Sequence, residues 1–178
     1  MPTELHRHVD ALVSDFAATY GSVDLVGRRV ECAPDEYDAV VGSFESFGVV
    51  GGGGVRIVRD GEALLARYDG IDGWIEPGGG RRPGESYAEC AKRGVRRATG
   101  LDPEIGGLAQ LQIVYLDDRR PRPPIPNPYV SFEGSIGDGE PESRDPAVEL
   151  RWTDEPPAEL AYGELAELSL GNHAERRM

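Results

Sequence analysis

The chain has 178 residues, a length that suits one domain with an extension, and its 19 basic and 32 acidic side chains leave a net charge of −13. That balance excludes a binder of nucleic-acid backbones, whose affinity comes from Lys and Arg neutralising phosphates. No apolar run approaches the roughly 18 residues that span a bilayer, and the N-terminus lacks a basic then apolar leader, so no membrane partner and a cytoplasmic location are expected. In chain order, Val9, Leu12, Val13, Phe16, Ala17 and Tyr20 recur at helical spacing and stop at Gly21, which predicts an amphipathic helix over 9–20. A short strand is expected at Val23–Val30, and a second helix over Ala33–Phe44, with Pro34 and Asp35 at its start.

From Phe47 the pattern changes to period two. Val49–Val58 and Ala63–Tyr68 flank Asp60-Gly61, the sequence signal of a hairpin. Within the first of these runs, Gly51–Gly54 lacks the Gly-Lys-Ser/Thr of a P-loop and reads as a flexible lead into the strand beside the site. Trp74 and Ile75 precede a Gly/Pro-rich loop, and Ser86 and Glu89 form a capping box that opens a helix over Tyr87–Thr99, stopped by Gly100. Strands are expected at Gln110–Leu116, Tyr129–Ile136 and Val148–Trp152. Asp117–Pro128, with five prolines, reads as loop. Asp138–Asp145 is an acidic loop, and Pro157–Leu170 a last helix.

Pro77–Leu101 reads PGGGRRPGESYAECAKRGVRRATGL. It resembles the Nudix box, G-x5-E-x7-R-E-U-x-E-E-x-G-U with U aliphatic: Gly79, Glu85, Arg93, Gly100 and Leu101 stand in register. Trp74 ahead of the box and Glu149–Trp152 behind it extend the resemblance over about 47–170. It implies an α/β fold, a Nudix-like α/β/α sandwich with a mixed β-sheet between helices. Residues 1–45 are then an N-terminal helical extension, 46–170 the Nudix-like domain and 171–178 a C-terminal tail. The implied activity is Mg²⁺-dependent hydrolysis of a nucleoside diphosphate linked to another group, and many relatives are homodimers.

In the family, the positions matching Gly94, Arg97 and Ala98 carry acids that share one helix face and hold Mg²⁺, a hard cation that needs oxygen ligands. A glycine, an arginine and an alanine stand there in this chain, so the box is degenerate. The resemblance carries over Glu85 and Arg93 as catalytic positions. Glu85 and Glu89 remain as candidate metal ligands, although Glu85 also suits a structural pair with Arg93, and Glu89 suits the cap and an i,i+4 pair with Arg93. Asp138, Glu140, Glu142 and Asp145 lie where some relatives carry a catalytic acid, and also suit a plain solvated loop.

Arg81, Arg82, Arg93, Arg96 and Arg97 fall within 17 residues of an acidic chain. They either bridge to the surrounding acids or contact a ligand's phosphates in place of a metal, which guanidinium groups do bidentately. Arg81, Arg82, Arg97, Trp74 and Gly79 are accordingly the candidate ligand-binding residues. Two functions stay open. One is a Nudix-fold protein of impaired catalysis that binds a nucleotide-like ligand, such as a nucleoside diphosphate derivative, with no cofactor. The alternative is an active Nudix pyrophosphohydrolase using Mg²⁺ and substitute acidic residues.

Other features speak to the chain's surroundings. Lys92 is the only lysine among the 19 basic residues, a usage that resembles halophilic archaeal proteins or a GC-rich genome. Cys32 and Cys90 imply no disulfide framework, and Cys90 falls on the apolar face of the box helix. His6, His8 and His173 read as surface residues.

Overall fold

The computed structural model describes residues 2–70 and 73–155. In chain order it contains α1 (Pro2–Tyr20), β1 (Leu25–Glu31), α2 (Pro34–Phe47), β2 (Gly52–Arg59), β3 (Glu62–Tyr68), β4 (Gly78–Gly80), α3 (Tyr87–Thr99), β5 (Glu104–Asp117), β6 (Ile125–Ser135) and β7 (Val148–Thr153). Seven strands form one mixed sheet in the order β1-β5-β6-β2-β3-β7, with β4 paired to β2. The expected helix over 157–170 lies outside the described residues.

Local chemistry accounts for most boundaries. α1 starts at Pro2 rather than Val9, and the added turns bring Leu5 into the core, where it is 1% exposed. Pro34 sits in the first turn of α2, where its missing N–H costs nothing, and Gly48 closes the helix at φ 66°. Asp60 (φ 52°) and Gly61 (φ 79°) are both left-handed, the backbone of a two-residue turn that matches the twist of the β2–β3 hairpin. In α3, Ser86 Oγ accepts the Glu89 amide while Glu89 Oε2 accepts the Ser86 amide at 2.8 Å, completing the capping box.

Two expectations are corrected. Residues 117–128 are not loop throughout, because β6 begins at Ile125 and pairs Pro126 with Tyr115 and Pro128 with Ile113. The prolines are two residues apart and so face their missing donors the same way, and β2 joins β6 only from Tyr129 onward. That stretch therefore has one free side, where strand prolines are tolerated. Nor is the glycine run a flexible lead: Gly52–Gly54 lies between β4 and β6 and pairs with both.

Side-chain alternation divides the sheet into two different faces. Leu111, Ile113, Val130, Phe132, Val55 and Ile57 pack with Leu5, Val9, Tyr37, Ala91 and Val95 of the helices in one apolar core. The alternate residues are polar but equally buried, and several hydrogen-bond to one another. Gln112 donates to Gln110 Oε1 at 2.9 Å, Gln110 donates to Asp24 at 3.1 Å, and Ser131 Oγ donates to Glu76 Oε1. This polar floor runs toward the end of the sheet where β4 lies.

Candidate active site

A cleft of about 480 Å³ opens between the three-glycine strand β4, the end of β3, the start of β6 and the last turn of α3. Glu76 and Tyr129 extend the polar floor into it, Asn127 adds an amide, and Asp69 and Arg97 stand at its sides. Tyr68 holds the β4 wall: its hydroxyl accepts the Gly78 amide at 3.0 Å and donates to the Gly78 carbonyl at 3.2 Å. Burial raises the Tyr68 phenol, opposed by the Gly78 bond and the Arg97 charge, so the ring stays neutral near pH 7.

On the other side of β4, α3 approaches so closely that its middle position has no room for a side chain. A Cβ built at Gly94 would lie 2.2 Å from the Gly78 carbonyl carbon and 2.4 Å from its oxygen. These are backbone atoms of a paired strand, which cannot swing aside. One turn further on, Ala98 is fully buried. Arg97, the third residue of this face, lines the cleft but is engaged, its Nε and Nη2 both 2.7 Å from Asp145 Oδ2. Asp145 Oδ1 accepts the Ala147 amide at 2.9 Å, and that amide, ahead of Arg97, holds the Asp145 carboxyl below the usual carboxylate range. The Glu142 amide donates to Thr99 O at 2.9 Å, so the acidic loop is stitched to the C-terminal end of α3 at two points.

Glu85 and Arg93 are brought together. Arg93 Nε and Nη2 reach the two Glu85 oxygens at 2.8 and 3.1 Å, and Glu85 Oε1 also accepts the Arg82 amide at 2.8 Å. The Arg93 bond, more than any other contact, lowers the Glu85 carboxyl below its ordinary value. Glu89 is spent on the cap. The expected Glu89–Arg93 pair does not form, because Arg93 turns to Glu85 and to the Gly80 carbonyl.

The arginines do not converge on one site. Arg96 pairs with Asp102, and Arg97 and Gly79 line the cleft, whereas Arg81 lines a separate groove beside α1. Arg82 contributes its backbone amide to Glu85. Trp74 is 6% exposed and packed with Leu65, Ile75 and Tyr129, with Arg67 over its ring at 5.2 Å. Cys90 is fully buried, its Sγ 3.3 Å from Gly79 O, and burial pushes its thiol up to about 11. His8 is half-buried with its ring against Phe44, not a plain surface residue, and His173 lies outside the described residues.

Sequence reasoning passed over Tyr68, Glu76, Asn127 and Tyr129. One signal was available: Gln110 and Gln112 interrupt an apolar strand at period two, the mark of a buried polar face.

Residues 51–169 match the family model of the NUDIX domain, about two-thirds of the chain. The chain belongs to the Nudix family. Among solved structures it resembles a UDP-X diphosphatase, with TM-score 0.54 and 22% identity over 83% of this chain and 74% of that one. It also resembles a MutT NUDIX hydrolase from Burkholderia pseudomallei, with TM-score 0.52 and 22% identity over 70% of this chain and 98% of that one. At that identity the likeness is one of fold. No curated protein matches the sequence.

The Nudix fold implies a divalent metal, and the residues present do not fit one. Position 94 has no space for a carboxylate, position 97 carries a guanidinium and position 98 is closed over. Glu85 already accepts three hydrogen bonds, and no group of three His, Cys, Asp or Glu among the described residues is placed to hold a metal ion. A hard cation requires several oxygen ligands at once.

Proposed function

We propose that this Nudix protein is a cytoplasmic binder of a nucleoside diphosphate linked to another group, and that its box is degenerate and its catalysis impaired. The observation that carries the reading is the Gly94–Gly78 contact. It supports a helix face that is closed as well as stripped of acids, so that metal-dependent hydrolysis has no place to assemble its ion. Arg97 is the group we assign to a diphosphate. Its Nη1 and the remaining N–H of Nη2 are not used by Asp145, and guanidinium–phosphate contacts are the strong, charge-assisted kind. Gly79 lets a ligand approach the β4 backbone closely. A UDP-X diphosphatase among the similar folds motivates a UDP-sugar as the first probe, with ADP-ribose as the second.

The test is calorimetric titration of both compounds in excess EDTA, paired with a turnover assay in Mg²⁺ or Mn²⁺. The expected result is saturable binding without metal, weakened about tenfold by Arg97→Gln, and no measurable turnover. Turnover at an ordinary enzyme rate, about 1 s⁻¹ or more with metal, overturns it. That outcome favours the second reading, an active pyrophosphohydrolase with substitute acids, for which Asp69 and Glu76 at the cleft are the specific observation.

A further inference from the structure

Arg81 was grouped with Arg97 by sequence, yet the fold sets them in different cavities that share no lining residue. The second cavity is a groove of about 460 Å³ between α1 and the start of α3. Its apolar part is built from four rings. Phe16 stacks on Tyr20 at 5.6 Å, meets Tyr87 edge-on at 6.1 Å and lies 6.5 Å from Phe132. Tyr20 remains 37% exposed, so the ring cluster is open on one side. Aromatic faces left open in this way are suited to another flat ring, by offset stacking or edge contact.

The groove is also polarised. Arg81 stands at its α3 end, with Nε donated to the Glu85 carbonyl at 2.7 Å and the guanidinium 4.8 Å over the Tyr87 ring. These partners are a carbonyl and a ring, so they fix the direction of the guanidinium without neutralising it. Arg93, Arg96 and Arg97 differ, each being paired with a carboxylate. His8 lies at the same end, where burial and then the Arg81 charge hold its imidazole below the ordinary value, leaving it neutral near pH 7. Asp15 lines the groove seven residues further along α1, about 10 Å away at helical rise.

We infer that this groove is a second ligand site, one that takes a flat aromatic molecule carrying a single anionic group, with the anion on Arg81 and the ring against Phe16, Tyr20 and Phe132. Asp15 sets the orientation by repelling the anion from the far end. The inference does not rest on the function proposed for the cleft, and the two fail separately.

Naphthalene-1-sulfonate and the neutral 1-naphthylmethanol, titrated into the full chain by calorimetry, test it. The expected result is saturable one-to-one binding with the sulfonate about tenfold tighter than the alcohol, a difference that Arg81→Gln removes. Ala11 is exposed on the groove wall, and Ala11→Trp fills the space from the helix surface, so it should weaken both probes at least tenfold while far-UV circular dichroism is unchanged. Arg97→Gln should leave both affinities as they are. Absence of saturation at millimolar probe, equal affinity for the charged and neutral rings, indifference to Ala11→Trp, or dependence on Arg97 overturns the inference.

Discussion

Replacing Gly94 by alanine puts two physical effects in opposition. Glycine inside a helix costs about 1 kcal/mol relative to alanine, so propensity alone has the variant more stable by that amount and melting about 2–4 °C higher at this chain length. The packing argues the reverse. The new Cβ would stand 2.2, 2.4 and 2.5 Å from three backbone atoms of Gly78, well inside contact distance. Gly78 is not free to retreat, since it pairs with Gly54 on β2 and is held by the Tyr68 hydroxyl. Forcing a methyl into a packed interior costs about 1–3 kcal/mol where side chains can adjust, and the upper end applies where backbone must move. The expected balance is a loss of about 2 kcal/mol and a fall in Tm of about 4–8 °C, read by thermal denaturation followed at 222 nm. A Tm equal to or above that of the parent chain refutes the close contact, and with it the closed helix face. The same result would reopen position 94 to a restored glutamate, which the present geometry rejects before its charge is considered.

Three other outcomes test the frame around the cleft. Glu85 is held below the ordinary carboxyl value, so its contribution to stability is complete above about pH 4.5 and is lost as pH falls through the lower folded value. Glu85→Gln should therefore cost about 1 kcal/mol at pH 7, and urea unfolding at stepped pH should show the gap to the parent closing as pH falls below the ordinary carboxyl value. Ser86→Ala removes the side-chain acceptor of the capping box and should cost about 1 kcal/mol, seen as a drop of about 2–4 °C in Tm. Cys90, fully buried with its thiol near 11, should resist iodoacetamide at pH 8 in the native chain and react fully in denaturant, as intact-mass spectrometry would report.

What could be read in the amino-acid order is what chain-local chemistry decides. The limits of α3 follow from Ser86, Glu89 and Gly100, whose hydrogen bonds close within one turn, and the β2–β3 hairpin follows from Asp60-Gly61. The Glu85–Arg93 pair was legible by another route, the resemblance to the Nudix box, in which the matching glutamate and arginine pair. The start of β6 was not legible, because two prolines forbid a strand only where neighbours sit on both sides, and where β2 joins is a property of the whole sheet.

The cleft was hidden by the same logic. Tyr68, Glu76, Asn127 and Tyr129 come from three separate segments, and nothing local marks them as neighbours. The arginines show the converse limit. Five cations close together in sequence left two readings open, bridges to acids or one anion site. Arg93, Arg96 and Arg97 do bridge to carboxylates, and a helix sends residues three and four apart to one face while loop residues go wherever the loop turns. Arg97 therefore faces the cleft while Arg81 crosses to the α1 side. Gly94 bears on the cleft in the same long-range way. Read as a lost acid it concerns chemistry alone, but in place it lets α3 lie against β4, which lines the cleft. A carboxylate at that position and this spacing of helix and strand are mutually exclusive, so the glycine at position 94 has an architectural role of its own.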